Sequence, residues 1–171
     1  MAAEHPNAEL YLICRSAGHL CALPLDRVRE IMRPLPLERM ADAGVEAGSA
    51  FVLGAAIVRG TVMPVLSLSG LMGRRHANHG NHSDDSAPSG RYVSLRLGPR
   101  HAVLAVDAVL GIRALAALEA MEPVAPLIGM VEHEAVAAIT THDAELLFVL
   151  QAARLVPESA WAALDSAEAA P

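Results

Sequence analysis

The sequence predicts a mainly β protein: two similar small β-barrel subdomains, packed about a pseudo-twofold axis and carrying short helices. Three observations carry this reading. Strand signals recur at short spacing, separated by turn residues, and few stretches have the length or period of a long helix. An internal repeat is visible: Tyr11, Arg15, Leu23, Asp26, Val28 and Ile31 reappear as Tyr92, Arg96, Leu104, Asp107, Val109 and Ile112, all at one offset and without a gap. Shared spacing across two strands and their turn implies one hairpin built twice. Finally, hydrophobic residues make up 53% of the 171 residues and aromatics only 3%, so the core is aliphatic and large enough for a domain of this size.

Taken in order, residues 1–8 form a frayed tail. Leu10 to Arg15 and His19 to Leu25 are strands joined by a turn at Ser16-Ala17-Gly18. Asp26 is placed to cap a short helix, Arg27 to Met32, which Pro34 and Pro36 end. Leu35 to Met40 can pair as a further strand, followed by a loop of small and acidic residues from Ala41 to Ser49. Gly54 to Leu68 is the most apolar hairpin of the chain, turning at Arg59-Gly60. Its strands are apolar on both faces and are expected to be buried on both. Pro64 within it signals an edge or a bulge. A helical turn follows at Leu68 to Met72. Residues 74–90 have almost nothing to bury and read as a flexible linker. Arg91 to Leu97 and His101 to Val106 form the second copy of the first hairpin, and Asp107 opens a short segment to Ile112 and Arg113. Leu127 to Val131, Ala135 to Thr141 and Leu146 to Leu150 read as strands, Gln151 to Leu155 as a helical turn, and Glu158 to Ala169 as a terminal helix or tail. Leu146 to Leu150 answers Val62 to Leu66, and Gly129 is the counterpart suggested for Gly54.

The composition excludes several function classes. The net charge is −6, every basic residue is arginine and no basic run is present, which argues against nucleic acid as a partner. No apolar run reaches the roughly 18–20 residues of a membrane span and the first ten residues lack an apolar signal core, so no membrane insertion and a cytoplasmic location are expected. Cys14 and Cys21 flank the first turn and read as reduced, buried small hydrophobes. A Cys14–His19 or Cys14–His101 nucleophile is conceivable, but Cys14 lies mid-strand and no nucleophile turn or phosphate loop is present, so no catalytic residue and no cofactor are expected. His76, His79 and His82, with Asp84 and Asp85, have metal-ligand chemistry, but a glycine- and asparagine-bearing loop holds imidazoles loosely, and no functional metal is expected. Asp26 and Asp107 occupy equivalent places in the repeat, so they read as helix caps and not as paired catalytic carboxylates. Arg59, by contrast, is held at the tip of a rigid apolar hairpin, where it has less freedom to lose on meeting a partner. Two lobes of this kind also expose a groove where they meet.

Three stretches resemble the CheW family of chemotaxis coupling proteins: Tyr11 to Pro36, especially Leu25 to Pro36; Gly54 to Gly73, with Arg59-Gly60 and Met63-Pro64-Val65; and Arg91 to Ile112, with Val106-Asp107-Ala108-Val109. The resemblance covers most of the chain. It implies one domain over residues 9–156, with subdomains at about 9–73 and 91–150, each a five-stranded SH3-like barrel, and a C-terminal helix or tail at 157–171. It also implies a bacterial scaffold linking the cytoplasmic tip of methyl-accepting chemoreceptors to the regulatory domain of a CheA-type histidine kinase, with no catalytic residues and no cofactor. Arg59 and Gly60 would face the receptor, with Val28 and Val109 flanking the groove between lobes. The chain departs from the family pattern at Ile57-Val58, where Asn-Leu is usual, and at Ser67 and Ser69, where an Asp and an Arg are usual. It also departs in the proline-free loop before Phe51 and in the additional His-rich segment. The alternative function is an SH3-like interaction module of a signalling system outside chemotaxis.

Overall fold

The computed structural model describes residues 8–38, 51–72, 90–116 and 135–156, together with 158, 161, 162 and 165. The first hairpin forms as the alternating sequence requires: β1 (Ala8–Ser16) and β2 (His19–Pro24) turn at Ala17-Gly18, both at positive φ. After a 3-10 turn at Leu25–Arg27 comes β3 (Val28–Met32), then β4 (Val52–Val58) and β5 (Thr61–Ser67), then the one-turn helix α1 (Leu68–Leu71). The second half supplies β6 (Arg91–Leu97), β7 (Arg100–Val106), β8 (Ala108–Ala116), β9 (Val136–His142) and β10 (Glu145–Leu150), closing with a 3-10 turn at Ala152–Arg154. Residues 158, 161, 162 and 165 are helical.

Two five-stranded sheets result. The central sheet has the order β3-β6-β7-β5-β4 and the terminal sheet the order β8-β1-β2-β10-β9. The central sheet is therefore one contiguous run of five strands, while the terminal sheet joins the first hairpin to the last three strands. The expected division into halves at 9–73 and 91–150 does not coincide with the sheets: each half contributes a hairpin to one sheet and three strands to the other. The repeat nonetheless governs the pairing. Tyr11 faces Pro24 and Arg15 faces Leu20, as Tyr92 faces Ala105 and Arg96 faces His101. Val28 faces Leu95 and Ile31 faces Val93, as Val109 faces Cys14 and Ile112 faces Leu12, with a bulge at the same place in each pair. In the hairpins β4–β5 and β9–β10, Val52–Leu66 answers Val136–Leu150 and Gly54–Val65 answers Ala138–Val149. The counterpart of Gly54 is thus Ala138; Gly129 lies outside the described residues.

Several expectations are corrected. Arg27 to Met32 and the segment after Asp107 are strands, because Val28, Glu30 and Met32 alternate with Arg29 and Ile31 against the neighbouring β6, and period 2 wins over a helix of one and a half turns. Asp26 and Asp107 are therefore not helix caps. The Asp107 Oδ2 accepts a 2.7 Å hydrogen bond from the Ala17 amide, and its own amide donates to the Arg15 carbonyl, tying the second copy to the turn of the first. The strand proposed at Leu35 to Met40 reduces, among described residues, to a single bridge between Glu38 and Ala55. Pro64 does not mark an edge, since β5 lies between β4 and β7; it stands just before the Val65–Ser67 run that pairs with β7, where its missing N–H does no harm.

Alternation along the strands builds three apolar clusters. The largest lies between the sheets and takes Leu12, Cys14, Cys21 and Leu23 from one side and Leu66, Val93, Leu95 and Leu104 from the other, with Trp161 of the C-terminal segment. A second cluster, with Tyr11, Ile13, Leu20 and Leu147, is buried on the other face of the terminal sheet. A third, with Val58, Met63, Val65, Tyr92 and Val103, fills the corresponding face of the central sheet. Arg100 pins the C-terminal segment, its guanidinium 5.0 Å from the Trp161 ring centroid and paired with Glu158 and Asp165.

A groove and an arginine clamp at the open end of the central sheet

Arg59 and Gly60 form a two-residue turn with φ of 49° and 82°, the left-handed geometry that matches the twist of β4 and β5. Gly60 accepts it freely, whereas Arg59 accepts it against a steric preference, so the turn is set by the flanking pairs Val58–Thr61 and Ile57–Val62. The Arg59 side chain does not wave in solvent. Its Nε donates to both carboxylate oxygens of Glu30, at 2.9 and 3.1 Å, and its terminal nitrogen donates to Oε2 at 2.8 Å. This bidentate clamp joins the hairpin tip to β3 across the mouth of the sheet. Its hydrogen bonds hold the Glu30 carboxyl below its ordinary value and raise the Arg59 guanidinium further. The Arg59 side chain stays 81% exposed, which leaves its remaining donors open to a partner.

Behind the clamp is an open groove of about 380 Å³. Val58 and Met63 form its apolar floor; Arg29, Glu30, Arg59, Thr61, Ser94 and His101 form its polar walls. These residues come from both halves of the chain, since β3, β4 and β5 precede residues 74–90 and β6 and β7 follow them. The His101 Nδ1 is buried and, among the described residues, has no hydrogen-bond partner.

Of the residues singled out in the sequence, Arg59 and Gly60 lie together at this tip. Val28 lies on β3, beyond the bulge that separates it from Glu30. Val109 lies on β8, at the edge of the other sheet, opposite Cys14. Both valines are half-buried against the inter-sheet core, one from each sheet. Ile57 and Val62 overturn the expectation of a hairpin buried on both faces: they face each other across the ladder and are 59% and 60% exposed, an apolar pair beside the Arg59 turn. Sequence reasoning passed over Glu30 and Ser94, and weighed His101 only as a partner for Cys14. A signal was present, because the repeat sets Glu30 against Gly111, Ser94 against Ile13 and His101 against Leu20, three places where the copies differ in polarity.

The sharper chemistries fare as follows. Cys14 and Cys21 are free, fully buried and directly opposed across the ladder. Burial pushes each thiol up to about 12, which removes the thiolate a nucleophile needs. His19 packs edge-on against Phe148. No group of three or more His, Cys, Asp or Glu able to hold a metal occurs among the described residues; the His-rich segment lies outside them. Among the described residues no helix is long and apolar enough to cross a membrane.

Residues 10–160 match the model of the CheW-like domain. The chain is a member of the CheW-like family. Its fold is similar to that of the scaffolding protein TtCheW from Thermoanaerobacter tengcongensis, with a TM-score of 0.63 at 19% identity over 84% of this chain and 89% of that one. No curated protein matches. In this CheW-like chain, the hydroxyls of Ser67 and Ser69, which stand where the family usually carries an Asp and an Arg, hydrogen-bond each other at 2.9 Å, and the Ser67 Oγ accepts from the Gly70 amide to start α1.

Proposed function

We propose that this CheW-like chain is a non-enzymatic cytoplasmic scaffold that couples the cytoplasmic tip of a methyl-accepting chemoreceptor to the regulatory domain of a CheA-type histidine kinase. The observation that carries the reading is the family match over residues 10–160, which spans both sheets. We read each sheet as an SH3-like barrel related to the other by a pseudo-twofold, on the strength of the shared register and bulges; neither sheet is taken as closed.

The work is geometric. Two rigid sheets fused through one apolar core hold separate surfaces at fixed distance and angle, so binding at one surface positions the partner bound at the other. Arg59, presented by Gly60 and braced by Glu30, supplies orientation and specificity through its free donors. Val28 and Val109 supply apolar contact from the two sides of the inter-sheet core, and Ile57 and Val62 extend the apolar surface beside the tip. Bracing matters because an arginine already fixed by a bidentate pair loses less rotamer freedom when a partner docks.

Co-purification with the cognate receptor's cytoplasmic tip and with the kinase regulatory domain tests the reading. Capture of both by the parent chain, with receptor capture reduced in Arg59→Ala, is expected. Capture of neither overturns the chemosensory assignment and favours an interaction module of another signalling system.

A further inference from the structure

Because the chain builds one template twice, each sheet is a control for the other. In the terminal sheet, the mouth that corresponds to the groove is sealed. Ile13 and Leu20 fill it, 2% and 4% exposed. Above them Arg15 pairs with Glu145, the Nη1 of Arg15 lying 3.1 Å from Oε2. The central sheet carries Ser94 and His101 at the places of Ile13 and Leu20. It keeps the arginine, as Arg96, which faces His101 as Arg15 faces Leu20. It lacks the carboxylate: Thr61, which pairs with Val58, stands where Glu145 pairs with His142. The fold therefore does not require a polar mouth, since the same strands close over leucine and isoleucine. What remains is a groove lined by two arginines, Arg29 and Arg59, and one carboxylate, Glu30, which Arg59 already occupies; Arg96 stands outside this lining, on β6 opposite His101, at the place from which Arg15 reaches Glu145 in the other sheet. Among the described residues Arg96 makes no ion pair, and the buried His101 Nδ1 has no partner.

We propose that this groove is a receptor for a carboxylate side chain of the docking partner, which takes the place that Glu145 fills in the other sheet. An Asp or Glu of the partner enters beside Arg59, accepts from its free guanidinium donors and from Thr61 over the apolar floor of Val58 and Met63, and comes within reach of Arg96, which the repeat sets where Arg15 meets Glu145. Donors from Arg59, Thr61 and Arg96 around one carboxylate, with the groove's own Glu30 already held by Arg59, make the site selective for an acid over its amide, because an amide adds donors where only acceptors are wanted. This proposal rests on the adaptor reading and deepens it: the partner at this end is an acidic segment of the chemoreceptor tip.

Two variants copy the sealed mouth and so are compatible with the fold: His101→Leu, which restores the leucine of the terminal sheet, and Thr61→Glu, which supplies the missing carboxylate from within. A hexaglutamate peptide, with hexaglutamine as its uncharged control, is titrated into the full chain by NMR. Hexaglutamate is expected to shift the His101 and Thr61 resonances and hexaglutamine to leave them in place, with the response lost in both variants. Against the receptor tip, each variant is expected to bind about tenfold more weakly than the parent, the size of one charge-assisted hydrogen bond. Changing the contacted tip acid to its amide should cost the parent about as much and the variants little. Equal response to the two peptides, or none, overturns the carboxylate groove. Equal tip binding by parent and variants overturns the placement of the receptor in it. A parent that binds hexaglutamate and not the tip overturns the adaptor reading and with it the receptor as the source of the acid, while the groove stands.

Discussion

The Arg59–Glu30 clamp joins the two requirements of a docking residue, fixed position and free donors. Since Arg59 stabilises the charged form of Glu30, the pair favours the folded state at neutral pH, and that contribution is lost as pH falls below the ordinary carboxylate value of 4.5. Arg59→Ala is therefore expected to lower the denaturant midpoint slightly at pH 7 and by progressively less as the pH falls below 4.5; a difference that does not shrink with acid would mean the side chain acts through packing. The buried thiols act at the other end of the scale. Unfolded cysteines ionise near 9, and in the fold they resist until about 12, so Cys14 and Cys21 favour the native state below pH 9 and withdraw that support between 9 and 12. In native protein at pH 8, a thiol reagent should label both only as fast as the protein opens. Rapid labelling of Cys14 would revive a nucleophilic role.

Among the strands, β4 is the element whose geometry is tightest. A Cβ at Gly54 would stand 2.6 Å from the Glu38 carbonyl, and its φ of 146° lies in the region L residues avoid. The close approach exists because Glu38 and Ala55 exchange two backbone hydrogen bonds of 2.8 and 3.0 Å at this edge. Gly54→Ala should cost roughly 1–3 kcal/mol by thermal or chemical unfolding, whereas Ala138→Gly, at the equivalent place in β9, should cost about 1 kcal/mol or less. A neutral Gly54→Ala would show that the Glu38 segment moves aside freely. On the same hairpin, Ile57 and Val62 are exposed enough that a glutamate at either should leave the fold intact while weakening partner capture.

At the level of the molecule, the exchange of hairpins between sheets makes the two halves interdependent. A fragment ending before residue 74 carries β1 and β2 without β8 and β10, and β3 to β5 without β6 and β7, so both its sheets are incomplete and half the inter-sheet core is exposed. Residues 1–80 and 81–171 expressed separately should each lack cooperative unfolding by circular dichroism, and mixing them should restore a single transition and a 1:1 complex on gel filtration. Independent folding of either fragment would mean that a sequence half is a domain after all.

The sequence by itself determined that one strand–turn–strand pattern is written twice, that the core is aliphatic and that Arg59 sits at a hairpin tip, because period-2 alternation, turn residues and a shared offset are local properties. It also carried the family, through the order of three motifs. It could not separate a short helix from a strand at Val28 to Met32 or after Asp107, because five residues fit either period and only the neighbouring strand decides. Nor could it assign strands to sheets, find Glu30 as the brace of Arg59, or show that Ser94 and His101 line a groove while Ile13 and Leu20 seal one. Those depend on which distant strands share a ladder, and that is settled by burying three apolar faces at once, a condition no local stretch of the chain can express.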